Sequence, residues 1–469
     1  MDFLEKIISA AKGALYDYIL IFVLIAAGLY FTFRTRGVQI TMLPEQVRTV
    51  TEKPKEKGGV SSFRSLMVST ASRVGTGNII GVSTALCLGG FGSVFWMWVI
   101  AIIGGASAFI ESTLGQIYKK RGKDGSYGGP AYYIEQGLGL KWLAAIFSVL
   151  LILTYGVGFN MLASYNLQST FSGYSFYNAA WTPWVIGGVV ALLVAVCLFG
   201  GGRRILSITG VLVPVMGLLY ILVALVISVI NITAIPAVLA RIFREAFSFS
   251  AALGGIGGAC IEYGIARGLF SNEAGVGSAP NAAASADVSH PVKQGLTQTL
   301  SVFIDTLLVC SATAFMCMVS GVEPTKALSG APYVQVSLAQ TLGAAGPIFI
   351  TLSMALFAFT TLVGNLFYVN QAWAHLFRRT PSKRFNYVYY AVASGLILLG
   401  AGLSADLLWN IADLLMGLMA LINIPVILLL GGRALRALSD YRKQKKAGKD
   451  PVFRAKDIGI DTPLDYWNE

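Results

Sequence analysis

Two glycine clusters stand inside apolar sequence: Gly75, Gly77 and Gly81 in SRVGTGNIIG, and Gly254, Gly255, Gly257 and Gly258 in ALGGIGGAC. Glycine disfavours helix by about 1 kcal/mol per residue relative to alanine. Four glycines in five positions therefore predict an unwound segment, which frees backbone N–H and C=O groups for a ligand. At a half-helix N-terminus the amides of Gly75, Thr76 and Gly77 suit a carboxylate, with the Thr76 hydroxyl beside them. The carbonyls of Ala71 and Val74, on the other side of the break, are hard oxygen donors suited to a cation. Gly254, Gly255, Gly257 and Gly258 are then expected opposite, meeting an amino group and a side chain. Close helix packing through small residues is the plain alternative for either cluster alone. It accounts poorly for two clusters at matching positions. GTGNIIG lacks the GxGxxG spacing and the preceding strand of a nucleotide loop.

Charged residues also fall within or beside apolar stretches: Arg73, Glu111, Glu262, Arg267, Glu273, Asp305 and Asp413. Isolated charge at membrane depth is costly, so such residues mark function or pair with one another. Glu262 and Arg73 both flank glycine clusters and are expected to pair. Arg267 and Glu273, in ARGLFSNEAG, are expected as a gate or loop scaffold at the cytoplasmic end of their span. Asp305 is expected either near an ion or as a helix support. The motifs of enzymes are missing from the sequence: there is no HExxH, no Walker sequence and no nucleophile–base signature. Cys87, Cys197, Cys260, Cys310 and Cys317 have no metal-site spacing and read as small apolar residues.

The elements that carry these residues follow from composition. Of 469 residues, 55% are apolar and 12% charged, about half the charged share of a soluble domain. Apolar stretches of about 20 residues read as bilayer spans, here at about 16–33, 61–88, 92–118, 141–169, 183–200, 206–230, 250–275, 296–321, 345–377, 386–403 and 405–430. The net charge of +12 sits in short loops such as YKKRGK and FRRTPSKR and in the tail, while alternate loops such as FSGYSFYNAAWT are nearly free of it. That alternation is a topology signal rather than a nucleic-acid surface. It puts basic loops and C-terminus in the cytoplasm and the N-terminus outside, with the first span uncleaved. Residues 234–249 have helical apolar spacing and read as a surface-lying amphipathic helix; 331–343 reads as a similar outer cap.

Setting the first span aside leaves two groups of five, each opening with a glycine-broken span. An odd number of spans per group forces opposite orientations, the pattern of inverted-repeat transporters with a midplane site. The chain then divides into 1–58 (first span and basic loop), 59–232 and 233–432 (the two repeats) and 433–469 (basic cytoplasmic tail).

RVGTGNIIGV, GGFGSVFWMWVIAIIG, YGIARGLFSNEAGVGSAPNAAASA, FIDTLLVCSATAFM, FAFTTLVGN and LWNIADLLMGLMALIN together resemble the alanine-or-glycine:cation symporter family, over residues 60 to 430. The resemblance implies an all-α integral membrane protein of the amino acid–polyamine–organocation superfamily. It would have about eleven transmembrane helices: a five-plus-five inverted repeat with broken first and sixth core helices, plus one extra N-terminal helix. It implies that Gly75, Thr76, Gly77 and Asn78 bind substrate and that Thr360 and Thr361, with the Ala71 and Val74 carbonyls, hold sodium. It implies a non-enzymatic symporter in a prokaryotic plasma membrane, carrying a small neutral amino acid and sodium, with no organic cofactor and no nucleic-acid partner.

The chain departs from the family at three places: Asn365 where many members have tryptophan, Ala163 where many have glutamine, and Met416 where many have asparagine. Ala163 and Asn365 are therefore expected to line the pocket and alter its size. A larger neutral amino acid such as glutamine, with sodium or proton coupling, is the alternative. A channel is a distant one. Oligomeric state is not legible.

Overall fold

The computed structural model describes residues 2–54, 56, 58–122, 125–199, 201–248 and 256–468. They form helices, with one two-stranded ribbon, β1 (Lys120–Gly122) and β2 (Gly125–Tyr127), antiparallel with Lys120 opposite Tyr127. The helices that matter for the site are α1 (Asp2–Leu15), α2 (Ile21–Arg34), α3 (Ser62–Arg73), α4 (Gly77–Gly89), α5 (Ser93–Ile117), α6 (Lys141–Ser169), α7 (Thr182–Leu198), α8 (Gly201–Ile230), α9 (Ile235–Ala246), α10 (Ile256–Asn272), α11 (Pro291–Met318), α12 (Ala331–Leu342), α13 (Ala345–Phe377), α14 (Lys383–Ala401) and α15 (Ala405–Lys446).

Among the described residues six helices (α5, α6, α8, α11, α13 and α15) are long and apolar enough to cross a membrane, and α2, α4 and α7 are shorter apolar helices. Every stretch read as a span from the sequence contains a helix. On α7 and α8 the residues Val189, Leu193, Val211, Leu218, Leu225 and Val229 are exposed. In water such a surface is unfavourable; in a bilayer it is the required coat.

Helix α5 runs through the centre, packed along α10 and α11 and receiving α2 on another side. Small residues permit the approach of α10. A Cβ added at Gly264 would lie 2.6 Å from the Ser93 carbonyl oxygen, and one at Gly268 would lie 2.7 Å from Ile100. The packing reading of glycine therefore holds for this pair, spaced i, i+4. Helix α13 lies against α3 with the same logic: a Cβ at Gly364 would meet the Ser72 amide nitrogen at 2.8 Å. Helix α9 is amphipathic as expected, burying Val238, Ile242 and Ala246, and α12 forms where a cap was expected.

The first break lies where the sequence put it. The i→i−4 ladder of α3 ends with Val74 N–H to Thr70 O (2.7 Å) and resumes with Ile80 N–H to Thr76 O (2.9 Å). Of the second, Gly254 and Gly255 lie outside the described residues, while Gly257 and Gly258 belong to the first turn of α10. Among the described residues the chain also breaks at the other end of α10. Glu273, Gly275 and Gly277 take φ of +53°, +86° and +91°, and a short helix resumes at Ala279–Ala283. Counting glycines found the cluster with the greatest helix penalty. It missed the residues whose backbone needs φ > 0, which glycine supplies at Gly275 and Gly277 and which Glu273 adopts under strain.

The tail is not a loose basic segment. Helix α15 runs unbroken to Lys446, and the chain beyond it folds back, burying Phe453, Ile458, Ile460 and Leu464.

Candidate functional site

The two breaks face each other. A small cavity, about 20 Å³, is lined by Gly75, Thr76 and Gly77 from the first, by Phe270 and Glu273 from the second, and by Phe159, Leu162 and Thr361 from α6 and α13. Ser72 and Arg73 complete it.

Its polarity follows from helix ends. Helix α4 begins at Gly77, so its partial positive end points at the cavity; α3 and α10 end there, and their carbonyl ends are partly negative. A ligand with separated charges, carboxylate toward Thr76–Gly77 and cationic group toward the ends of α3 and α10, matches that field. Side chains add one charged group of each sign. Arg73 is buried, with Nε and Nη2 lacking hydrogen-bond partners. Glu273 accepts from Ser278 Oγ at 2.5 Å.

The expected substrate residues divide. Gly77 is in contact with the site: a Cβ there would lie 2.8 Å from the Phe270 ring. The Thr76 hydroxyl accepts from Asn166 Nδ2 at 3.0 Å. The Gly75 N–H is already spent, donating to Asn78 Oδ1 at 2.8 Å. Asn78 itself turns away from the cavity, its amide donating to Asp305 Oδ1 (2.7 Å) and Ser271 Oγ (2.9 Å). Ala163 is buried in α6 but does not line the cavity; Phe159 and Leu162 do. Asn365 ties helices together behind the break, accepting from Ser72 Oγ (2.6 Å) and donating to Asn160 Oδ1 (2.9 Å). Gly258 is exposed, with open space around it, and lines neither cavity described here.

The paired threonines also divide. Thr360 bonds back to the Leu356 and Phe357 carbonyls at 3.0 and 3.1 Å and faces Met216. That is the ordinary helix-internal use of a threonine hydroxyl proton, and Thr360 does not line the cavity. Thr361 lines the cavity with its hydroxyl buried and without a partner. A Cβ on Gly75 would overlap that oxygen. Ala71 and Val74 are buried against the same helix face.

The charged residues form two groups. Arg73 donates to the Gln298 carbonyl (3.4 Å) rather than to Glu262. Asp305 is fully buried and accepts from Asn78, Ser271 (2.6 Å) and Thr306 (2.8 Å), so one carboxylate joins the segments beside both breaks. Arg267 pairs with Asp413 of α15 and stacks on Trp409, 4.4 Å from guanidinium to ring. It lines a second, larger cavity of about 450 Å³ that also reaches Lys12 of α1 and residues 329–332 at the start of α12.

Between the cavities stands an aromatic row. Phe159 and Phe270 have centroids 4.8 Å apart, as do Phe270 and Trp409. Sequence reasoning missed Phe159, Phe270, Trp409 and Asn166 as site residues, because aromatic and amide side chains at helical spacing look like ordinary packing until the breaks fix which face they occupy.

A profile of the sodium:alanine symporter family matches residues 1–455. The chain is 44% identical to the probable sodium/glutamine symporter GlnT of Bacillus subtilis, over 99% of this chain and 96% of that one. It is 43% identical to the amino-acid carrier protein AlsT of the same organism, over 100% and 98%. It is 34% identical to the sodium/alanine symporter AgcS of Methanococcus maripaludis, over 95% and 99%. Among solved structures it resembles MhsT in complex with L-phenylalanine, with TM-score 0.53 and 15% identity over 86% of this chain and 92% of that one, a likeness of fold.

Proposed function

We propose, from the premise that the chain belongs to the sodium:alanine symporter family, that it imports a small neutral amino acid together with sodium by alternating access. It is a multi-pass membrane transporter of amino acids and not an enzyme. The observation that supports the finer reading is the meeting of the breaks after α3 and after α10 at one small cavity.

In this reading the substrate carboxylate lies on the Thr76 and Gly77 amides, with Arg73 behind them, and the ammonium points to Glu273 and the carbonyl end of α10. Sodium takes the Thr361 hydroxyl and the carbonyls of Ala71 and Val74. Binding both fills two halves of one electrostatic arrangement, which is why each ligand favours the other. By linkage the coupling is reciprocal. Glu273 to Gly277 take, in this reading, the place opposite the first break that was expected of Gly254, Gly255, Gly257 and Gly258. The eleven spans and the two opposed five-helix groups belong to the same proposal, as does the topology with N-terminus outside and C-terminus inside.

The larger cavity is then the outer vestibule. Arg267 sits on the outer side of the substrate, with Asp413, and not at a cytoplasmic gate. The Phe270–Trp409 contact closes the vestibule from the inner cavity. At about 20 Å³ that cavity admits no amino acid until the Phe270 ring swings away.

A larger neutral substrate such as glutamine is the second reading. Asn166 favours it, since its amide, bonded to Thr76, stands beside the cavity and offers a partner for a substrate carboxamide. Uptake into proteoliposomes under an imposed inward sodium gradient, with a panel of labelled neutral amino acids, tests both. Accumulation of L-alanine or glycine supports the first, L-glutamine the second. Uptake driven by a pH gradient alone, or no uptake at all, contradicts sodium-coupled import.

A further inference from the structure

The two short helices that follow α2, Val38–Thr41 and Leu43–Val50, are built inside out. Their polar residues Gln39, Gln46 and Thr49 are fully buried. Gln39 Nε2 donates to Thr32 Oγ1 (2.8 Å) and Gln46 Nε2 to the Gln39 carbonyl (3.0 Å), while Thr49 Oγ1 meets Thr297 Oγ1 of α11 (3.3 Å). Their apolar residues Ile40, Leu43 and Val47 are instead 61%, 42% and 53% exposed, and Phe33 at the end of α2 is 77% exposed. Leu43 and Val47, spaced i, i+4, share one helix face. In water an outward apolar face is unfavourable. At the edge of a bilayer it is the face that meets acyl chains.

Charge beside that face is unbalanced. Glu45 is already met by Arg48 (2.7 Å), Lys445 (3.3 Å) and the Tyr441 hydroxyl, and Glu52 by Arg48 (3.1 Å) and Lys293 (2.9 Å). Among the described residues no salt bridge engages Arg34, Arg36 or Arg442. Arg442 Nη2 donates to the Thr35 carbonyl (2.9 Å), which brings the end of α15 to the corner where α2 stops, and its charge repels that of Arg36. Arg34 lies over the Tyr30 ring, 5.6 Å from its centre. Guanidinium forks match the oxygens of a phosphate. We infer that this corner binds the headgroup of an anionic phospholipid. Its phosphate meets Arg34, Arg36 and Arg442, and its acyl chains lie along Phe33, Ile40, Leu43 and Val47. A zwitterionic lipid brings an ammonium that the surplus positive charge repels. A free phosphate ion leaves the apolar face uncovered. The segment so anchored is docked through Thr49 on α11, the helix that carries Asp305.

Native mass spectrometry of the purified full-length chain in detergent tests it, with phosphatidylglycerol and phosphatidylethanolamine of the same acyl chains added in equal amounts. The wild type is expected to retain phosphatidylglycerol in preference. Arg34→Gln with Arg36→Gln is expected to lower that retention about 25-fold, about fivefold for each arginine. Arg36→Gln with Arg442→Gln should do the same, and the first pair, being exposed, keeps the test decisive should the second fail to fold. Lys383→Gln with Arg384→Gln, exposed at the start of α14, is expected to change nothing. Equal retention of the two lipids, undiminished retention in the arginine variants, or an equal loss in the Lys383→Gln and Arg384→Gln variant overturns the site. Displacement of phosphatidylglycerol by inorganic phosphate overturns it in favour of a free anion. A dimer that Val47→Glu dissolves overturns it in favour of a second copy of the chain.

Discussion

Thr360 and Thr361 are chemically identical neighbours with opposite circumstances, and the contrast is measurable. The Thr361 hydroxyl is buried and unpartnered beside Gly75, a state that costs about 1–3 kcal/mol until something coordinates it. Thr361→Val is therefore expected to leave the sodium-free melting temperature unchanged or higher, and to abolish the rise that sodium gives the wild type. Thr360→Val, which removes a hydroxyl bonded back within its own helix and facing Met216, is expected to keep that rise. Differential scanning fluorimetry with and without sodium distinguishes them; equal loss in both variants would contradict the assignment. Gly77→Leu drives its side chain into the Phe270 ring and is expected to abolish amino-acid uptake. Unchanged affinity in that variant would remove the substrate from the first break.

At the scale of elements, Asp305 is the residue that joins the two breaks, through Asn78 on one side and Ser271 on the other. Asn78→Ala removes a donor from a fully buried carboxylate and an acceptor from the Gly75 N–H. A destabilisation of about 1–3 kcal/mol follows, read as a lower melting temperature, and it should be accompanied by a raised KM for substrate because the break is no longer held. A KM unchanged alongside the lower melting temperature would reduce Asn78 to a purely structural role. Helix existence, the first break, the amphipathic α9 and the cap at α12 were legible in sequence, because each writes a local pattern of apolar spacing or glycine. The break after α10 was not. Glycine density pointed to residues 254–258, while this break uses a glutamate and two spaced glycines, whose need for positive φ has no compositional signature. Ala163 and Asn365 were misread for a related cause: helical register one position off exchanges a lining face for a packing face, as Leu162 and Ala163 demonstrate.

Across the whole molecule, the C-terminal segment binds parts that the helical bundle leaves apart. Lys293 of α11 meets both Glu52 and Asp450 (2.9 and 3.0 Å), Lys120 of β1 meets Asp465 (2.8 Å), and Trp467 Nε1 donates to the Gln116 carbonyl (3.0 Å). Truncation after Gly448 removes Phe453 and Leu464 from their buried places and is expected to lower the melting temperature; an unchanged value would make the docked tail dispensable. A pH dependence belongs here too. His290, at the start of α11, accepts from the Val292 N–H at Nδ1 (3.2 Å) and therefore turns Nε2–H toward Asp440 (3.3 Å). Burial lowers its pKa, against the pull of Asp440. The folded chain thus holds His290 neutral, while the unfolded chain takes up a proton near pH 6.5. Its contribution to stability is present above about pH 6.5 and is lost as pH falls below it. His290→Gln should flatten that part of the melting-temperature profile; an unaltered slope would assign the dependence to other groups.

The central claim is that one site between two chain breaks carries amino acid and sodium together. Parallel uptake of tritiated L-alanine and sodium-22 in the same proteoliposomes, wild type against Gly77→Leu, tests it most directly. The account predicts that alanine stimulates sodium-22 entry in the wild type in fixed proportion to its own entry, and that Gly77→Leu abolishes both. Alanine entry indifferent to sodium, or alanine-stimulated sodium entry persisting in Gly77→Leu, would contradict it.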